Sequence, residues 1–323
     1  MRFFILSLLA LLLLEGRSFS AECWTSGVTK ESGWYDANKL RTRSNTNEDS
    51  NLCWAMSCSN IINWWQDRLP SGHIEGIPAD SFTPEGENHG NNGSYVSGEF
   101  RKNFIDTGNW QANGFSWWLG GDARDSGKLR TPGTPSGGYY TSLLQSGAYT
   151  LGGNDSLIRK WDGVSITSEN IVGTITAALH DGYGLSMTIA LPGQNGSAGS
   201  SSSHALTLWG IEYEGDTLTK IFYTDSDDAR AFYPEYDKAQ LKTANAKIIN
   251  DGLGSYIGLS DATAYSYLGA LSTTMENPDA NYDNYYLREL TGLRMIDSIP
   301  EPAATALGML GLMGMLCRRR KES

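Results

Sequence analysis

The chain has 323 residues and a formal net charge of −11, with 40% hydrophobic and 11% aromatic residues. This composition excludes a disordered chain, and the acidity disfavours nucleic-acid binding, because clustered positive charge supplies most of that affinity. Neither the dinucleotide-binding nor the P-loop glycine fingerprint occurs between a predicted strand and a predicted helix, so those enzyme classes are disfavoured as well.

The first 20 residues are typical of a secretory signal peptide. Arg2 precedes an apolar run over residues 3–14, and the small residues Ser18 and Ser20 lie just before a cleavage point at Ala21. An uncleaved anchor helix is the alternative, although the apolar run is short for a membrane span. We expect residues 1–20 to be removed on export.

The body of the chain, residues 21–298, is expected to form one domain with a helix followed later by a helix–strand–hairpin unit. Between residues 69 and 153 it is rich in Gly, Ser, Asn and Pro, which indicates loops around short helices. Glu48, Asp49 and Ser50 offer cap acceptors for the first helix. The predicted elements are helices over residues 51–65 and 169–180, and strands over residues 185–191, 204–213 and 218–224.

The tail, residues 299–323, combines a polar Pro300-Glu301-Pro302 motif, a mostly apolar run over residues 303–317 and a basic end. Positive residues after an apolar segment favour the cytoplasmic side, so the body would face outward. This tail resembles the PEP-CTERM sorting signal of Gram-negative bacteria. The resemblance implies export, transient anchoring in the cell envelope and cleavage by an exosortase-type enzyme. An ordinary single-helix anchor is the alternative.

Three cysteines lie in the predicted exported body: Cys23, Cys53 and Cys58. An odd number leaves at least one thiol free or paired with another molecule, and exported proteins seldom keep a spare thiol. A buried, inert cysteine is the alternative. We interpret Cys58 as a core residue or as a partner of Cys23.

Cys53, His204 and Asp225 carry the chemistry that the sequence indicates. Cys53 lies at the first turn of a predicted helix, where unpaired backbone N–H groups and the helix dipole favour the nucleophilic thiolate. His204 begins one strand of the predicted hairpin and Asp225 follows the other. The histidine could therefore exchange a proton with the thiol while the aspartate holds its tautomer. Taken singly, the three have ordinary alternatives: a core cysteine, a structural histidine and a solvated carboxylate.

The segment Cys53-Trp-Ala-Met-Ser57 resembles the nucleophile region of papain-like peptidases. The chain is more specifically similar to the IgG-degrading cysteine peptidases of the IdeS/Mac type, over about residues 23–228. The resemblance implies an α+β papain-like fold, in which a helix with the nucleophile packs on an antiparallel sheet that carries the histidine and the aspartate. The similar segments are Trp24-Thr-Ser-Gly-Val28, Gly33-Trp-Tyr-Asp-Ala-Asn-Lys39, Asn51-Leu-Cys53, Asn60-Ile-Ile-Asn-Trp-Trp65, His204-Ala-Leu-Thr-Leu-Trp-Gly210 and Tyr223-Thr-Asp-Ser-Asp227.

The resemblance also implies a role for each of five residues. Cys53 would be the nucleophile, His204 the general base and acid, and Asp225 the partner that orients the histidine. Asp227 matches a second aspartate that supports the site, and a turn carboxylate is its alternative. Lys39 matches a lysine that joins the nucleophile's backbone N–H in the oxyanion hole, and an ordinary solvated lysine is its alternative.

These residues predict an exported cysteine endopeptidase that forms a thioester on Cys53 and needs no metal or organic cofactor. The segment between Lys39 and Cys53 is longer than in the family, which leaves Asn47 as an alternative oxyanion donor. We expect a protein substrate, with immunoglobulin, host glycoproteins and envelope proteins all open. Two other classes stay open: a surface-anchored binding module with a vestigial triad, and a papain-fold amidase or acyl transferase.

Overall fold

The structure is a computed structural model that describes much of the body of the chain. Residues 1–19 of the predicted signal peptide, the predicted sorting tail, Asn47 and Asp227 lie outside the described residues. The described residues are 20–39, 49–69, 95–123, 125–132, 136–145, 147, 149–152, 156–161, 169–190, 203–226, 241–251, 254–260 and 285–296.

Five α-helices and eight β-strands are formed by the described residues. The helices are α1 (Cys53–Asp67), α2 (Tyr95–Asn103), α3 (Gln111–Gly120), α4 (Thr141–Gln145) and α5 (Ile171–His180). The strands are β1 (Ala21–Trp24), β2 (Ile158–Trp161), β3 (Tyr183–Ala190), β4 (Ser203–Glu214), β5 (Thr217–Thr224), β6 (Lys242–Asp251), β7 (Gly254–Ser260) and β8 (Tyr285–Arg294). Each of the five predicted elements is confirmed, with its ends within two residues of the prediction.

The strands form one antiparallel sheet in which β4 and β5 also pair with each other. Pairings run from β4 through β3, β8, β7, β6 and β5, and β5 pairs again with β4. This circuit of six strands is closed, while β1 adds to β4 and β2 adds to β8. Helices together with an antiparallel sheet are compatible with the predicted α+β class.

The buried apolar residues form two cores. One core surrounds α1 and includes the fully buried Trp117 and Trp118 of α3. The other core joins α5 to apolar side chains of the sheet strands. Thirteen of the fifteen residues of α1 are buried, so this helix lies at the centre of the molecule. A side chain at Gly184 of β3 would come within 2.7 Å of the Trp64 ring, so glycine there permits close packing of α1.

The start of α1 differs from the expected cap. Leu52 occupies the N-cap position, and no side chain caps the helix. Asp49, one of the expected acceptors, instead pairs with Arg101 of α2 at 3.0 Å, and its backbone carbonyl accepts from the Leu52 N–H. The capping prediction was wrong because the Asp49 carboxylate contacts a cation and not the helix terminus.

Polar side chains join α1 to the sheet. The Ser57 hydroxyl lies 2.6 Å from the Ser186 hydroxyl of β3 and donates to the Leu206 carbonyl of β4 at 2.8 Å. The Asn60 amide donates to Thr207 of β4 at 2.9 Å and to Thr224 of β5 at 3.3 Å. Because directional hydrogen bonds cross the interface, α1 has a defined position along the sheet.

The cysteines Cys23, Cys53 and Cys58 are all free thiols. Cys58 is fully buried in the core around α1, and its Sγ lies 3.3 Å from the Gln111 carbonyl oxygen. Cys23 belongs to the other core. Cys58 is therefore a core residue, and the alternative of a Cys23–Cys58 disulfide was wrong.

Candidate active site

Cys53 is the first residue of α1, at the positive end of a central helix. Its side chain borders a cleft, whereas the residues that follow it in the helix are buried. The backbone N–H groups of the first turn have no acceptor within the helix, and the helix dipole favours negative charge there. This position stabilises a thiolate relative to a thiol.

His204 and Asp225 meet at one end of the β4–β5 hairpin. His204 is the second residue of β4, and Asp225 follows the last residue of β5. Because Thr207 pairs with Thr224 in the antiparallel ladder, the start of one strand lies beside the end of the other. The His204 Nε2 lies 2.8 Å from Asp225 Oδ1, and both side chains are almost fully buried.

The Cys53 thiol and the same imidazole lie close enough for each to shift the pKa of the other. Since Nε2 faces Asp225, Nδ1 is the ring nitrogen left for the sulfur. Burial by itself raises the pKa of the Cys53 thiol, but the neighbouring His204 imidazole and the charge of Lys39 lower that pKa below its ordinary value. Burial likewise opposes charge on His204, but the Asp225 carboxylate and Cys53 raise the pKa of the imidazole. Both directions favour a thiolate–imidazolium pair.

Lys39 lies close enough to Cys53 to act on it electrostatically. Its side chain is buried, with 2% of the residue exposed, and its Nζ donates to the Ser50 carbonyl at 2.9 Å. Its backbone N–H donates to the carbonyl of Ser226, next to Asp225, also at 2.9 Å. The ordinary alternative of a solvated lysine was wrong because this ammonium group is taken out of water beside the start of α1.

Arg101 of α2 contacts the residues next to Lys39 and Ser50, and the sequence analysis did not identify it. Its guanidinium pairs with Asp49 at 3.0 Å and donates to the Asn38 carbonyl at 2.7 Å. These two partners adjoin Ser50 and Lys39, so one side chain holds both ends of the chain segment that precedes α1. No local pattern pairs Arg101 with residues more than 50 positions away.

The cleft at Cys53 has a volume of about 320 Å³. Trp110, a residue that is 45% exposed, and Arg288 of β8 contribute to its wall. No Asp or Glu among the described residues lines it, and no cluster of described residues is suited to holding a metal ion. The lining residues are Ser50, Asn51, Cys53, Trp54, Gly108, Asn109, Trp110, Gln111, Thr188, Ser203, His204, Ala205 and Arg288.

Comparison with known protein families gives two matches. A family model described as Mac 1 matches residues 15–75, and one described as the PEP-CTERM protein-sorting motif matches residues 298–321. Both resemblances are confirmed. No curated protein matches the chain.

The two matches support coarse statements about activity and location. The Mac 1 match includes Lys39 and Cys53 and ends before His204, and it supports a hydrolase of the cysteine-peptidase type. The PEP-CTERM match supports export, association with the cell envelope and recognition by an exosortase. In the part of the chain that the structure describes, no helix has the length and apolar character needed to cross a membrane.

Proposed function

We propose that this protein is an exported cysteine endopeptidase with a papain-like fold and Cys53 as its nucleophile. The observation that carries the proposal is one buried imidazole that lies 2.8 Å from the Asp225 carboxylate, lines the same cleft as Cys53 and lowers the pKa of its thiol. A helix start and a hairpin end, 151 positions apart in the chain, supply these groups. Nucleophile, base and orienting acid are the parts that thiol catalysis requires.

The proposed architecture places the cleft between a helical part and the sheet. Cys53 lies at the start of α1, and His204 lies on β4, with the cleft bordered by both. We propose the signal peptide as residues 1–20, the peptidase domain as residues 21–298 and the sorting segment as residues 299–323. The protein would reach the envelope, act there on protein substrates and be anchored by, or released from, its tail.

The proposed reaction is acyl transfer through the thiolate of Cys53. The sulfur attacks the carbonyl carbon of a peptide bond, and the carbonyl oxygen becomes negative in the tetrahedral intermediate. As the C–N bond breaks, the imidazolium of His204 gives its proton to the leaving amine and a thioester remains. The neutral imidazole then takes a proton from water, whose oxygen attacks the thioester. Collapse of that second intermediate releases the carboxylic acid and restores Cys53.

Lys39 is the proposed partner of the Cys53 backbone N–H in stabilising the oxyanion. Its buried ammonium group already lowers the pKa of the Cys53 thiol, so its positive charge acts at the reacting atoms. A preorganised cation in a site of low dielectric stabilises a developing negative charge more than water does. Asn47 stays the alternative donor, and Asp227 stays a proposed supporting aspartate.

Cleavage of a mixture of proteins by the full chain tests the proposal. The wild-type protein is compared with Cys53→Ala and with Cys58→Ala, which removes another thiol from the same helix, and fragments are identified by mass spectrometry. We expect fragments with the wild type and with Cys58→Ala, none with Cys53→Ala, and inhibition by an epoxide directed at thiols.

Two results would contradict the proposed peptidase activity and favour another function. Isopeptide or amide products in place of new peptide termini would indicate an acyl transferase. Equal absence of products from the wild type and Cys53→Ala, across substrates that include IgG, would contradict peptidase activity. A retained protein ligand in that case would indicate a binding module.

A further inference from the structure

The cleft beside Cys53 has an exposed aromatic ring with two cations over it. Trp110 is 45% exposed, whereas nine of the ten other aromatic or apolar residues between positions 95 and 120 lie in the core around α1 or pack against it. Lys160 Nζ lies 4.4 Å from the centre of its ring, and the Arg288 guanidinium carbon lies 5.9 Å from it. An exposed indole at the edge of a cleft is a ready contact surface for another chain.

The two cations differ in their own partners. Lys160 forms an ion pair with Glu289 at 2.8 Å, and that carboxylate is buried, so much of its charge is compensated. Within the described residues, no carboxylate pairs with Arg288, whose guanidinium contacts the Trp110 ring. Arg288 therefore carries a positive charge at the wall of the cleft that no described carboxylate compensates.

A break in the β3–β8 ladder directs Arg288 to this place. Thr188 pairs with Glu289 and Ile189 pairs with Leu287, so Arg288 has no partner residue on β3. This is a β-bulge, a feature that re-aims a side chain and is frequent beside active sites. Thr188 lines the same cleft, which places the bulge at its wall.

The charge around the cleft is opposite to that of the molecule as a whole. The chain carries a net charge of −11, yet none of the described residues that line the cleft is acidic. The start of α3, which adjoins Trp110, adds the positive end of a helix dipole. A guanidinium on the cleft wall matches a carboxylate in geometry and charge.

We propose that Trp110 and Arg288 form a subsite that binds an acidic side chain of the protein substrate close to the bond that Cys53 attacks. The carboxylate of an Asp or Glu would bind the Arg288 guanidinium while the substrate chain lies against the Trp110 ring. This inference rests on the proposed peptidase function. It adds that the cleft prefers substrate sequences with an acidic residue near the cleaved bond.

A peptide library cut by the full chain measures this preference. We expect Asp or Glu to be enriched at one position relative to the cleaved bond, and a matched pair of peptides with Glu or Gln there to differ about tenfold in kcat/KM. Arg288→Glu should abolish that preference and favour Lys or Arg at the same position. Trp110→Ala should lower kcat/KM for both peptides and leave their ratio in place.

Arg159→Glu is the matched control. Arg159 also lies over a tryptophan, at 5.0 Å from the Trp161 ring, but both residues line a different groove. The charge change is the same in both variants, so a general electrostatic effect would change the peptide preference of both equally. We expect Arg159→Glu to retain the preference of the wild type.

A binding readout separates this inference from the proposed function. The same library is passed over immobilised Cys53→Ala, with and without Arg288→Glu, and retained peptides are sequenced. Acidic enrichment that needs Arg288, without any cleavage by the wild type, supports the subsite and contradicts the peptidase. Cleavage with equal rates for the Glu and Gln peptides overturns the subsite and leaves the peptidase. Neither cleavage nor enrichment overturns both.

Discussion

The two halves of the candidate site are held by different kinds of structure. The sheet half, His204 and Asp225, is positioned by the backbone ladder between β4 and β5, whose last pair is Thr207 with Thr224. The helix half, Lys39 and Cys53, depends in addition on side-chain contacts, among them those of Arg101 with Asp49 and Asn38 on either side of residues 40–48. Backbone ladders tolerate single substitutions, whereas a contact made by one side chain is lost with that side chain.

The two halves also act on opposite partners of the ion pair. Asp225 in the sheet half raises the pKa of the His204 imidazole, whereas Lys39 in the helix half lowers the pKa of the Cys53 thiol. In the proposed mechanism the ion pair is present between these two pKa values, so each half would set one limit of the active pH range. Substitutions in the two halves should therefore shift opposite limbs of the pH profile.

Asp225→Asn should have the largest effect on the sheet half. Removing the carboxylate lowers the pKa of His204, because a negative charge that favours imidazolium is lost. We expect kcat/KM to fall roughly a thousandfold and the alkaline limb of its pH profile to move to lower pH. Asp181→Asn, an exposed aspartate at the end of α5, is the control and should match the wild type. An unchanged alkaline limb would contradict the role of Asp225.

Lys39→Met should act on the helix half and on the other limb. Loss of the buried cation raises the pKa of the Cys53 thiol, so the acidic limb of kcat/KM should move to higher pH. We expect a loss of about a hundredfold in kcat/KM, as for removal of an oxyanion donor. Lys30→Met, at a half-exposed lysine paired with Glu22, supplies the control. A shift of the alkaline limb instead would show that Lys39 acts through His204.

Arg101→Gln should give the smallest loss of activity and a clear loss of stability. Asp49 would be left buried without its cation, which costs about 3 kcal/mol in the free energy of unfolding. Without the contacts of Arg101 with Asn38 and Asp49, Lys39 would be less precisely placed, so kcat/KM should fall about tenfold. Lys102→Gln, at a lysine whose side chain is 73% exposed, should change the free energy of unfolding by less than about 0.5 kcal/mol. Denaturant unfolding measures the free energy of unfolding of both variants. Equal values for the two would contradict the proposed role of Arg101 in holding Asp49 and Asn38.

The difference between the halves also explains what the sequence could predict. Alternating apolar residues and the Glu214-Gly215-Asp216 turn predict β4 and β5, and with them the approach of His204 to Asp225. The start of α1 follows from its apolar content, although its expected cap was wrong. These features depend on patterns within a few residues.

Features that depend on distant pairing were not predicted. The Arg101–Asp49 contact spans 52 positions and leaves no periodic signal in either segment. The closure of the sheet by β6, β7 and β8 lies in a part of the chain where the resemblance to the family does not extend. The exposure of Arg288 in the cleft depends on a one-residue bulge, which a shift in strand register creates and side-chain alternation does not indicate.

The rate of alkylation of each cysteine by iodoacetamide, measured against pH by mass spectrometry, tests the central claim most directly. A thiolate–imidazolium pair predicts that Cys53 reacts well below the ordinary thiol pKa of about 8.5, and that His204→Ala abolishes this reactivity. Burial raises the pKa of Cys23 and Cys58, so both should stay unreactive in that range. The account would be contradicted if the alkylation rate of Cys53 rose only near the ordinary thiol pKa and were unchanged in His204→Ala.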